Sequence, residues 1–505
     1  MTWNRELYID GEWTSEGADA AIEVINPATE AVIGSVPEAT PKVATRAIEA
    51  ARRAFDEGPW PWMKPSERAA RLVRMAEILE ARAPELRELI IAETGSTGFL
   101  ADAIQGAGSI GMLRSNAGYV EHAFPWVEND QPKGGPANIG GSAIVREPIG
   151  VVGAITPFNF PFMLNIVKTA PALAVGCTVV LKPHPWTPLD AMLIADAAAE
   201  ADIPPGVLNV ISGGGDVGAE LSTNPMVDMV TFTVSTPTGK QIMSVASATM
   251  KKVQLELGGK SAHVILGDCT EEFAASIGFG MTPIHCGQGC AIMTRLLLPE
   301  HLLDAYLGGV EMMKAFVTIG DPADDSTIMG PLIREQQRER VEGYVQSGID
   351  EGARLVTGGK RPDGFDKGFF FEPTVFVGHN DMTIAREEIF GPVLTVIPYS
   401  GDDADAVRIA NDSIYGLAGQ VTSASSARAF NVARQIRAGS VSAEGNGATP
   451  IDTGPGDGQG PGWGAAPKGI GQTGAFGGYK QSGLGREWGR HGLEDFTEVK
   501  QMLWS

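Results

Sequence analysis

From residue 149 onward the chain repeats one pattern: a short, almost wholly apolar run followed by a stretch with helical spacing. The runs cover residues 151–154, 178–181, 207–211, 227–233 and 253–257. Apolar side chains at consecutive positions, rather than alternate ones, need burial on both faces of a strand. Their alternation with helices predicts an α/β fold built on a doubly wound parallel sheet. Such a sheet commonly binds a dinucleotide at the carboxyl ends of its strands. A second αβ series, from residue 262 to about 441, predicts a second α/β unit. Upstream, residues 40–55 and 66–94 read as helices. Ser66 is the expected N-cap of the latter, and Leu72, Met75, Ala76 and Leu79 recur at helical spacing. Residues 131–141 are rich in Gly and Pro and predict a turn or exposed connection. Residues 445–474, denser still in Gly and Pro, predict a long loop.

With 505 residues there is room for two or three domains and a large core. The net charge of −22 argues against nucleic acid or anionic membranes as partners, since both repel an acidic surface. No basic segment with a following apolar run opens the chain, so no signal peptide is expected. The longest apolar runs carry Gly or Pro and are too short to span a bilayer. Four cysteines in so long a chain make no disulfide framework, and a cytoplasmic location is expected.

Two segments carry the chemistry. Glu256-Leu257-Gly258-Gly259-Lys260 puts a carboxylate at the end of a β-rich run. Gly287-Gln288-Gly289-Cys290 puts a thiol in a turn of small residues. A nucleophile with a candidate general base points to covalent catalysis followed by hydrolysis. For phosphate, Gly213-Gly214-Gly215-Asp216-Val217-Gly218 fits G-x-G-x-x-G after a strand. No acidic residue follows at about twenty residues to hold a ribose, however, and three glycines also suit a plain turn. Ser235-Thr236-Pro237 is the better site: Ser235 suits an N-cap, Pro237 the first turn, and free amides there favour a pyrophosphate. His285, Cys286 and Cys290 have no second Cys or His pair at zinc-site spacing, so no metal is expected. A disulfide or oxidative protection between Cys286 and Cys290 is the more credible alternative.

Further segments share a pattern with these. They are Ile155-Thr156-Pro157-Phe158-Asn159-Phe160-Pro161, Leu181-Lys182-Pro183, Thr231-Phe232-Thr233 with Ser235, Glu387-Glu388-Ile389-Phe390-Gly391-Pro392 and Phe476-Gly477-Gly478-Tyr479-Lys480-Gln481-Ser482-Gly483. In this order, from about Leu7 to Lys500, the chain resembles the aldehyde dehydrogenase superfamily. The resemblance implies an NAD(P)-dependent, hydrolytic enzyme oxidising a small-molecule aldehyde. Three parts are implied: a coenzyme domain (residues 1–128 and 148–256), a catalytic domain (257–482) and a small β-flap for oligomerisation (129–147 and 483–505). A homodimer or homotetramer would follow. Cys290 would attack the aldehyde as thiolate, and Asn159 with the Cys290 N–H would hold the oxyanion. Glu256 would activate the deacylating water, and Lys168 would assist proton relay. The coenzyme contacts implied are Thr156, Pro157, Phe158, Lys182, Val234, Ser235, Leu257, Gly258, Glu388 and Phe390. Among these, Lys182 would bind the adenine ribose, Ser235 the pyrophosphate and Glu388 the nicotinamide ribose, with Phe390 beside it.

Alone, Asn159 reads as a turn residue, Glu388 as a solvated charge and Phe390 as core. The chain also departs from the family. Val234 stands where glycine is usual, Glu444 where asparagine is usual, and Pro185 where NAD-preferring members often have a glutamate, which leaves NAD and NADP both open. The segment 445–474 is longer than usual and, with Phe158, Phe160, Leu164 and Val167, would shape the aldehyde site. A CoA-acylating semialdehyde dehydrogenase and a catalytically silent binding relative are the alternatives; Glu256 favours water over CoA as acceptor.

Overall fold

A computed structural model describes residues 2–130, 140–451 and 474–504. The first αβ series forms an eight-stranded sheet. Its spatial order is Gly483–Leu484, Lys252–Glu256, Met229–Thr233, Val151–Ile155, Thr178–Lys182, Leu208–Val210, Leu7–Ile9 and Glu12–Thr14. The five strands from Lys252–Glu256 to Leu208–Val210 are parallel to one another. From Val151–Ile155 the chain adds two strands on one side, then returns to add two on the other. The order therefore reverses between Val151–Ile155 and Met229–Thr233, and a crevice opens beyond their carboxyl ends. Both strands are buried throughout. Val152, Ala154, Val179 and Leu181 enter one apolar cluster, while Val151, Ile155, Val180 and Val230 enter another. Successive residues thus feed opposite faces of a sheet covered on both.

The second series forms a seven-stranded sheet. Its order is Arg354–Thr357, Thr374–Val377, Val393–Tyr399, Met293–Pro299, Ser261–Ile265, Ala418–Thr422 and Ser440–Glu444. Only the Arg354–Thr357 edge strand is antiparallel. A three-stranded antiparallel sheet joins Val127–Asn129, Gly141–Pro148 and Thr497–Trp504. The tail from residue 483 divides. Gly483–Leu484 pairs with Lys252–Glu256 in the eight-stranded sheet, and Gly489–Asp495 is a helix, so only Thr497–Trp504 enters the three-stranded sheet.

Two local expectations need correction. The helix expected over 66–94 is two helices, Pro65–Ala81 and Ala83–Thr94, separated by Arg82 at φ −100°, ψ 13°. Pro84 has no N–H with which to carry the ladder across this point. Ser66 is not the cap: the helix begins at Pro65, and the Glu67 carboxylate accepts from the Lys64 N–H at 2.8 Å. Of the expected connection at 131–141, residues 131–139 lie outside the described residues, and Gly141 opens a strand. Residues 452–473 of the expected long loop also lie outside them. Among the described residues no helix is long and apolar enough to cross a membrane.

Candidate active site

Backbone strain marks the loop that leads to the thiol. Within the turn Ile284–Gly287, three successive residues are left-handed: His285 at φ 47°, Cys286 at 52° and Gly287 at 72°. For the two residues with side chains this costs about 1–3 kcal/mol each, so the surroundings must hold them. Gln288, fully buried, is the clamp. Its amide donates to the His285 carbonyl at 3.1 Å, and its side-chain oxygen accepts from the Ile333 N–H at 3.0 Å. Gly287 has no freedom of identity, since a Cβ there would stand 2.1 Å from the Gly391 carbonyl oxygen.

Cys290 follows, partly exposed, while Cys286 is buried. Both are free thiols, so the disulfide considered between them is not formed. Burial pushes the Cys290 thiol up, and the carboxylates of Glu388, Glu256 and Glu487 push it further. Both effects favour the neutral thiol at Cys290.

Glu256 closes its strand fully enclosed, and neither carboxylate oxygen has a side-chain hydrogen-bond partner. Burial, and then Glu487, hold its carboxyl well above the usual range, against an opposing pull from Lys168, Arg486 and the backbone N–H of Gly478. Lys168, buried in the helix Pro161–Val175, donates to Glu487 Oε1 at 2.8 Å and to Thr231 Oγ1 at 3.1 Å. Glu487 is the residue that sequence reasoning missed. Its only signal was its place just after the matched Gly483, and the fold alone brings it beside a lysine 319 positions away.

The Asn159 side-chain N–H donates to the Gln288 carbonyl at 2.9 Å, which ties the start of the long helix to the thiol loop. The Gly258-Gly259 pair permits two close approaches. A Cβ on Gly258 would meet Glu388 Oε2 at 2.4 Å, and one on Gly259 would meet the Cys290 carbonyl oxygen at 2.2 Å. The Gly259 N–H donates to Glu388 Oε1 at 2.9 Å. Even so, burial lifts the Glu388 carboxyl to about 7.

The remaining residues singled out from sequence surround the crevice. The Thr156 hydroxyl donates to Asn165 Oδ1 at 2.6 Å, and Pro157 is buried beside it. Phe158 meets Phe390 edge-on, with ring centroids 5.7 Å apart, and also contacts His184 and Trp186. Lys182 ends its strand buried, and burial pulls its ammonium down to about 8 against the nearby Asp216 charge. Leu257 is buried, and its N–H donates to the Ser482 carbonyl at 2.8 Å. Ser235 is the N-cap residue of the helix Thr236–Ala246, but its side chain makes no capping bond. It lies instead 3.0 Å from Thr238 Oγ1, leaving the terminal amides free for a ligand. Val234 is half-buried against the cluster containing Phe232, Ile242 and Leu257. These features fit a dinucleotide: free amides at a switch-point helix, and a carboxylate cradled where a Cβ would intrude. Among the described residues no group of three or more His, Cys, Asp or Glu could hold a metal.

The family model for the aldehyde dehydrogenase family matches residues 13–460 and 463–502. The chain belongs to the aldehyde dehydrogenase family. It is 41% identical over 503 residues to a 3-succinoylsemialdehyde-pyridine dehydrogenase of Pseudomonas sp, covering 99% of this chain and 98% of that one. It is 38% identical over 509 residues to the betaine aldehyde dehydrogenase of Bacillus subtilis (strain 168), covering 99% and 97%. Among solved structures, a Mycobacterium tuberculosis aldehyde dehydrogenase complexed with NAD+ superposes with a TM-score of 0.90 at 41% identity, over 100% of this chain and 99% of that one. This aldehyde dehydrogenase is an oxidoreductase that oxidises an aldehyde with NAD or NADP.

Proposed function

We propose that Cys290 adds to the aldehyde carbonyl and that Glu256 directs water to the resulting thioester, so that the product is a carboxylic acid. The observation that carries this reading is Glu256 itself: a buried carboxyl with no side-chain hydrogen-bond partner, close enough for its charge to act on the Cys290 thiol. Bound NAD or NADP supplies the hydride acceptor. The thiol gives its proton to water and adds as thiolate, and Glu256 acts at the later hydrolysis. The Asn159 amide and the Cys290 N–H stabilise the developing oxyanion. Expulsion of hydride from the tetrahedral carbon leaves the acyl group on Cys290 Sγ. Glu256 then removes a proton from the attacking water. Lys168 and Glu487 form the buried pair through which that proton moves on.

On the coenzyme side, the crevice lined by Thr156, Pro157, Phe158, Leu257 and Gly258 seats the dinucleotide. Lys182 binds its adenine ribose, Ser235 and the helix amides its pyrophosphate, and Glu388 and Phe390 its nicotinamide ribose. NAD is the coenzyme in the solved relative, and we favour it here. The coenzyme domain spans residues 1–128 and 148–256, the catalytic domain 257–482, and the flap 129–147 with the Thr497–Trp504 end of the tail. The outward strand of the flap exposes Val499, Met502, Leu503 and Trp504, which fits a homodimer or homotetramer. The enzyme works in the cytoplasm. Following NAD(P)H formation over a panel of aldehydes, with and without CoA, tests the reaction: acid should form at the same rate either way, and a requirement for CoA would overturn the hydrolytic reading.

Two further results are expected. Because burial and three carboxylates raise the Cys290 thiol, its thiolate fraction grows only as pH climbs beyond the ordinary cysteine range. Alkylation of the coenzyme-free enzyme by iodoacetamide should therefore keep rising above pH 9, and a plateau near pH 7 would contradict the assignment. For Val234→Gly, the side chain leaves the space at the mouth of the phosphate-binding helix, and coenzyme titrations should show tighter binding or a changed preference between NAD and NADP. The lost apolar contact and added backbone freedom should cost about 1–3 kcal/mol of stability, read by thermal unfolding. Unchanged affinity and selectivity would show that Val234 serves only the cluster it packs against.

A further inference from the structure

Behind the Gly258-Gly259 turn lies a small pocket that the reaction does not use, open to solvent past the exposed Arg437. Its walls include Lys260, Ser261, Arg295 and Arg437, and no Asp or Glu lines it. It has room for one particle about the size of a water molecule. Lys260 and Ser261 are buried, and neither Lys260 Nζ nor Ser261 Oγ has a hydrogen-bond partner. Arg295 is equally buried. It donates to the carbonyl oxygens of Lys260, Ile409 and Ala410 and to Asn380 Oδ1, and to no carboxylate. Asp412 acts on Arg295 without hydrogen-bonding it, and a buried donor with nothing to receive its proton is costly. Burial and the charge of Arg295 pull the Lys260 ammonium down to about 7 while Glu388 and Glu387 push it up.

We propose that this cavity is a binding site for a small monatomic anion such as chloride, held by Lys260 Nζ and Ser261 Oγ in the field of Arg295 and Arg437. The size of the space excludes phosphate, a carboxylate product or a nucleotide, and the donors present are those a halide accepts from. A bound halide satisfies both orphaned donors at once and balances the buried charge without any proton leaving Lys260. The site sits one residue from Gly259, whose N–H holds Glu388, so it anchors the turn on which the nicotinamide side is built.

Diffraction at the bromine absorption edge, from crystals of the whole enzyme soaked in sodium bromide, tests this directly. An anomalous peak is expected in the cavity within hydrogen-bonding distance of Lys260 Nζ; an uncharged water there, with no bromine signal, overturns the proposal. Thermal unfolding against chloride at constant ionic strength supplies the second arm. The wild type should be stabilised to saturation, and Ser261→Ala and Arg437→Gln should need several-fold more chloride, with Lys260→Met losing the response altogether. If Lys260→Met does not fold, the two milder variants still decide: a chloride response identical to wild type in both overturns the assignment.

Discussion

Cys290→Ala abolishes aldehyde-dependent NAD(P)H formation, a loss of at least about a thousandfold, because no other group on the loop can take over the covalent step. Cys286→Ala keeps most activity. The asymmetry follows from position: Cys290 is partly exposed beside Glu256 and Glu388, whereas Cys286 is buried at a left-handed position and feels no carboxylate. Steady-state absorbance on both variants, with circular dichroism to verify folding, checks it. Equal loss in the two would mean that the loop, and not one thiol, is what the reaction needs.

Glu256→Gln should separate the two halves of the reaction. Hydride transfer proceeds once per active site, and thioester hydrolysis then slows by about 10²–10⁴-fold, the usual contribution of a positioned general base. Rapid mixing should show a burst of NAD(P)H equal to the active-site concentration, followed by slow turnover. The same substitution is isosteric and breaks no side-chain hydrogen bond, so the fold should tolerate it. A variant with normal steady-state turnover would show that another base activates the water, with Glu487 the next candidate because its charge acts on both Glu256 and the Cys290 thiol.

Much of this is legible in the sequence. Unbroken apolar runs such as 151–154 and 178–181 admit few alternatives, since only a sheet covered on both faces buries every residue of a strand. The glycines of Gly258-Gly259 and Gly287 were visible as motif members, but the reasons for them were not. They answer to Glu388, to the Cys290 carbonyl and to Gly391, groups distant in sequence that the fold brings within van der Waals range. Glu487 was illegible for the same reason, as was the helix break at Arg82, where a local conformation outweighed an otherwise continuous helical period. The orphaned Lys260 is a sharper case: within Glu256-Leu257-Gly258-Gly259-Lys260 it reads as an ordinary motif residue, and only burial without a partner marks it as unusual.

The central claim is a covalent acyl enzyme on Cys290 that Glu256 helps to hydrolyse. Acid quenching of Glu256→Gln within its first turnover, with aldehyde and coenzyme present, followed by peptide mass spectrometry, tests it most directly. The account predicts one acyl group per chain, on the peptide position of Cys290. Acyl label on Cys286, or a full burst of NAD(P)H with no label on any cysteine, would contradict it.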